Sequence, residues 1–95
     1  MSFEEYQVSY SGAIKKKLKA IFLQAEQLGV LDNFRNAALV IDHRLRTNPD
    51  DFGELKSYLK HMDLKIQIGF ARPLMVEFGI QDNAKIVFVK RIEVV

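Results

Sequence analysis

Cysteine is absent from this chain of 95 residues, which excludes disulfides, thiolate-ligated zinc and thiol catalysis and makes a reducing cytoplasm its simplest home. No apolar run approaches the roughly 20 residues that a membrane-spanning helix requires, and Met1 to Tyr10 lacks the basic start and apolar middle of a signal peptide. A glycine-rich phosphate loop is missing, and His43 has only one other histidine for company, too few for a metal site. The residues therefore call for no metal, cofactor or membrane. An excess of one charge is lacking too. Fourteen Lys and Arg against twelve Asp and Glu leave a net charge of +2, which does not announce a nucleic-acid binder.

What is present is an ordinary globular composition, 48% hydrophobic and 27% charged, sized for a single domain over residues 1–95. Two runs in the last third, Leu64–Phe70 and Leu74–Ile80, alternate apolar and polar residues with a period of two, and a third, Lys85–Ile92, is rich in β-branched and aromatic residues. Ala71-Arg72-Pro73 and Gln81-Asp82-Asn83-Ala84 join them, short enough for an antiparallel meander. Ile66, Ile68, Val76, Phe78 and Val87 are expected to form its apolar face, with Gly69 and Gly79 on the less apolar register.

Upstream, Met1–Glu5 reads as a frayed start and Tyr6–Tyr10 as a short strand. Ser11 is placed to cap a helix with the stripe Ile14, Leu18, Ile21, Phe22, Ala25 and Leu28, and Gly29 is placed to end it. Lys15, Lys16, Lys17 and Lys19 sit mainly on its other faces, as a solvated surface. Asp32 or Asn33 is the expected cap of a second helix carrying Phe34, Ala37, Ala38, Ile41 and Leu45, stopped at Asn48-Pro49. The spacing leaves 50–63 open between a short helix and an extended connector. The expected fold is α+β, a two-layer sandwich of N-terminal strand, helical hairpin and three-stranded antiparallel meander (β-α-α-β-β-β), with both helices on one face of the sheet. The first strand is expected beside the last, and the bare C-terminal strand is expected to be open to strand addition.

That element order, with Gly53-Glu54-Leu55, Leu59-Lys60, the run Leu64–Leu74 leading through a basic strand to Arg72, and Lys85–Val89, resembles the RelE/ParE toxin superfamily of bacterial toxin-antitoxin systems. The resemblance implies an antitoxin partner. It also implies one of two activities, metal-independent cleavage of ribosome-bound mRNA or poisoning of a protein target such as DNA gyrase. Carried over by position, Lys65 and Arg72 match basic residues that hold the scissile phosphate. Gln67 stands where a second lysine is expected, and the sequence stops at Val95, about where the family's tail supplies further groups. Gln67 can hydrogen-bond a phosphate but cannot neutralise it. His61, a residue type suited to proton transfer, lies before the sheet, and Glu77 shares a face with Lys65 if the register pairs odd positions. Because the catalytic set is incomplete, the favoured reading is a toxin-fold protein that acts by binding a macromolecular partner through Phe70, Met75 and Val95. The alternatives are a ribosome-dependent endoribonuclease and an unrelated small α+β interaction domain.

Overall fold

The computed structural model describes residues 5–95; most of the Met1–Glu5 start lies outside them. Strand β1 (Gln7–Tyr10) leads into α1 (Gly12–Gln27) and α2 (Leu31–Thr47), followed by β2 (Glu54–Leu59), β3 (Leu64–Ala71), β4 (Leu74–Gln81) and β5 (Ile86–Val94). Short 3-10 turns at Pro49–Asp51 and Lys60–Met62 flank β2. The sheet has five strands in the order β1-β5-β4-β3-β2, with β1 parallel to β5 and all other neighbours antiparallel. The fold is thus mixed α+β with the helices packed on the sheet. The connector left open by the spacing adds one strand to the meander.

Local chemistry sets the helix ends. The Ser11 hydroxyl accepts the Ile14 amide at 3.2 Å and satisfies a donor that the first turn cannot. At the other end Gly29 adopts φ 75°, and the Val30 and Gly29 amides reach back to the carbonyls of Ala25 and Glu26. That pair of bonds is a Schellman ending, which needs a residue at ease in the left-handed region. The expected side-chain cap of α2 does not form: the helix starts one residue before Asp32, with Val30 at the cap position and no side-chain bond. Asp32 instead lies in the first turn, where the helix dipole favours its charge.

The register corrects the expected apolar face. Gln67 pairs with Phe78 and Lys65 with Ile80, while Ile66 pairs with Gly79 and Ile68 with Glu77. Leu74, Val76, Phe78, Ile80, Val87 and Val89 face the helices and form the core with Ile14, Ile21, Ile41 and Leu45. Ile66 and Ile68 therefore lie on the opposite face from Val76 and Phe78, because partners across a strand pair share a side. Lys65, Gln67 and Gly69 lie on the helix side and Glu77 and Gly79 on the other, so neither the Glu77–Lys65 pairing nor the common register of the two glycines holds. The C-terminal strand is bare only in part: over Ile86–Val89 it is bonded on both sides, beyond Val89 it is bonded to β4 alone, and the two edge strands of the sheet are β1 and β2.

Candidate functional site

Lys65 is anchored rather than presented. Its ammonium bridges Asp50 and Asp82, the latter at 2.6 Å, and Asp82 also accepts the Tyr6 hydroxyl at 2.6 Å. These residues tie the turn before β2, the head of β3, the β4–β5 turn and the entry to β1 into one cluster. Burial lowers the Lys65 pKa, but hydrogen bonds and charge from both aspartates outweigh it and hold the group above its ordinary value. Asp82 is held low by its hydrogen bonds to Lys65 and Tyr6. Above about pH 4, the ordinary range of a carboxylate, the cluster contributes its full stability, and the contribution is lost as pH falls through the depressed Asp82 value. Urea midpoints taken from pH 7 down to pH 2.5 should fall at the acid end, and Asp82→Asn should flatten that fall. An unchanged acid limb in Asp82→Asn would remove the cluster from the account.

Gln67 is more deeply committed, 4% exposed on the helix side of the sheet. Its amide donates to the carbonyls of Pro49 and Phe52, each at 3.2 Å, and pins the loop before β2. The Phe52 ring then stacks on Phe78, with centroids 5.8 Å apart, under the Arg44 guanidinium at 5.1 Å. Any added side chain at Gly69 would meet that ring at 2.8 Å. A phosphate has no access to a carboxamide so enclosed.

Arg72 is exposed in the β3–β4 turn, its peptide bond to Pro73 cis, and His61 is exposed in the turn between β2 and β3. Lys65 and Arg72 stand at opposite ends of one strand, seven residues or about 23 Å apart. The two residues assigned to one phosphate are not brought together.

The open side of the sheet carries a different set. Glu77, near the middle of β4, is flanked by Lys56 at 3.3 Å and Arg91 at 3.1 Å. Burial pushes the Glu77 carboxyl up, but the Lys56 hydrogen bond and the charges of Lys56 and Arg91 prevail and keep it below its usual value. Lys56 reaches this face through a β-bulge between Leu55 and Ser57. Phe70, 57% exposed, lies beside its buried partner Met75, and Val95 donates to the Pro73 carbonyl at 2.9 Å. Phe70, Met75, Arg72 and Val95 thus gather at one end of the sheet. The Lys56–Glu77–Arg91 row was not anticipated. Arg91 sits in a strand that the sequence shows, whereas the bulge that turns Lys56 toward Glu77 leaves no mark in the spacing.

Among the described residues no group of acidic and histidine side chains is arranged to hold a metal, and no helix is long and apolar enough to cross a membrane. Compared with protein-family models, with curated proteins and with solved structures, the chain finds no match.

Proposed function

We propose that this chain is a RelE/ParE-like toxin-fold protein that works in the bacterial cytoplasm by binding a macromolecular partner, a protein, through the open face of its sheet. The observation that carries this reading is the exposed Phe70 ring, set between Ile68 and Met75 at the end of the sheet where Arg72 and Val95 also lie. A large aromatic beside apolar neighbours and a cation has the composition of an interface anchor. Lys65 and Gln67, engaged within the fold, are not needed by it. Induced expression in a bacterial host should arrest growth, and Phe70→Asp, at a position where the fold does not use the ring, should relieve the arrest with an unchanged circular dichroism spectrum. Equal arrest by both chains, or by neither, would dismiss the proposed face.

One observation favours a second reading, a metal-independent endoribonuclease. Glu77 is a carboxylate held ionised between two half-exposed cations on the open side of the sheet, its own side chain 11% exposed. It has the chemistry to take the proton of an attacking 2'-hydroxyl while Lys56 and Arg91 face the phosphate. Under this reading Glu77→Gln abolishes cleavage of ribosome-bound mRNA by a factor of about 100 or more, whereas under the binding reading no cleavage is seen with either chain.

A further inference from the structure

A cleft of about 690 Å³ opens at the edge of the sheet, where β2 leaves β3. That size falls within the roughly 300–1,000 Å³ over which small molecules are held. Strand β2 begins opposite Ile68, so along Gly69, Phe70 and Ala71 strand β3 has β4 on one side and no strand on the other. The cleft fills this corner. Arg44, Phe52 and Leu55 line it on the helix side, Ile68 and Phe70 on the open side.

The unpaired stretch of β3 is three residues long, the lower limit for a strand, and β2 closes it at one end. It seats a small molecule rather than a peptide strand. Leu55 is 59% and Phe70 57% exposed, so both present apolar surface that the fold leaves in water. A flat ring recovers such surface through one of its faces, whereas an acyl chain needs walls on every side. Charge comes from Arg44. Its guanidinium lies 5.1 Å from the centre of the Phe52 ring and donates to the Asp51 carbonyl at 3.2 Å, leaving most of its five N–H donors unused. The Asp51 carboxylate accepts the Asn48 amide at 2.9 Å instead, and Arg44 forms no ion pair among the described residues. The other two charged groups of the lining, Glu54 and Lys56, are opposite in sign, and Lys56 is already held on Glu77 at 3.3 Å. The uncompensated charge of the cleft is therefore positive, and it stands beside an aromatic ring.

We propose that this cleft binds a small aromatic carboxylate, whose carboxylate accepts two parallel N–H bonds from Arg44 and whose ring lies against Leu55 and Phe70. The planar guanidinium fork matches a carboxylate as the single ammonium of a lysine does not. Binding of such a molecule does not require that the open face take a protein partner.

The probe is 2-naphthoate, titrated into the full chain and followed by its fluorescence and by the amide chemical shifts of the protein. The wild type should bind it saturably, one per chain, with the largest shifts at Gly53, Leu55, Gly69 and Phe70. Arg44→Gln should weaken binding about tenfold or more. Arg44→Lys, which keeps the charge and loses the fork, should weaken it about threefold, and Leu55→Glu, at an exposed position, about tenfold. The neutral analogue 2-naphthalenemethanol should bind the wild type and Arg44→Gln alike, which shows that the variant keeps the cleft. If Arg44→Gln binds the alcohol less well than the wild type does, Arg44→Lys decides, and an affinity for 2-naphthoate equal to that of the wild type overturns the proposal. No saturable binding, equal affinity of the wild type and Arg44→Gln for 2-naphthoate, indifference to Leu55→Glu, or shifts centred on Leu18 and Phe22 would each overturn it as well. Growth arrest plays no part in these measurements, so the cleft and the protein-binding face stand or fall separately.

Discussion

Gly53→Ala is expected to cost about 3 kcal/mol or more of folding stability, a fall of roughly 12–24 °C in Tm for a domain of this size. Gly53 stands where the chain turns from the loop after α2 into β2, with φ 89°, and an added Cβ would lie 2.0 Å from the carbonyl oxygen of Ile68 and 2.7 Å from the Gly69 Cα. Both neighbours are backbone of β3, paired on its far side to β4. They cannot move aside as the end of a flexible side chain would. The remedy open to the protein is to lift the start of β2 off β3, which loosens Lys56 from Glu77 and changes the open face. Two other glycines grade the effect. Gly12 has open space around it in the first turn of α1, so Gly12→Ala should be neutral or slightly stabilising. Gly29 also has open space but φ 75°, so Gly29→Ala should cost about 1 kcal/mol through backbone strain alone. Thermal melts should place Gly12→Ala highest, Gly29→Ala below it and Gly53→Ala lowest, and a Gly53→Ala melt no lower than that of Gly29→Ala would refute the close approach.

The same junction explains how much of the fold was legible. Both helices announce themselves because a buried stripe repeats at helical spacing, and Ser11 and Gly29 act within a few residues of themselves. The strands β3 and β4 were visible from their alternation, and β5 from its β-branched and aromatic residues. Strand β2 was not, because every one of its residues is exposed. With no buried face there is no alternation to read, and its pairing is imposed by β3 and by the turns around it.

Facing was lost for a related reason. Alternation fixes which residues of one strand share a side, but not which side of its neighbour they join. Strand β3 carries isoleucines on one side and Lys65, Gln67 and Gly69 on the other, and hydrophobicity alone sends the isoleucines to the core. In the structure the helix side of β3 is instead filled from outside the strand. Phe52 covers Gly69, the loop carbonyls occupy Gln67, and Asp50 with Asp82 occupies Lys65. Those partners lie 15 or more residues away in sequence, beyond any local pattern.

Substitutions at Gln67 then separate a structural residue from one that handles phosphate. Gln67→Leu preserves volume but takes the side-chain donor from the Phe52 carbonyl in a buried site and leaves the Pro49 carbonyl with the Phe52 amide alone. It should cost about 2–3 kcal/mol, or roughly 8–24 °C in Tm. Gln67→Glu sharpens the test. Its carboxylate would face carbonyl oxygens with no cation among the hydrogen-bonding neighbours of Gln67, so ionisation is opposed and its folded pKa lies above the unfolded value of about 4.3. A raised pKa means that the penalty is absent below the unfolded value and grows as pH rises toward the folded one. Gln67→Glu should therefore gain stability relative to the wild type on acidification from pH 7 to pH 4.5, before the Asp82 cluster begins to weaken. A residue that merely contacts a ligand from the surface would show neither the Tm loss in Gln67→Leu nor this inverted pH dependence. If both variants melt like the wild type and only function suffers, Gln67 belongs to a binding site after all, and the loop before β2 must open to admit the ligand.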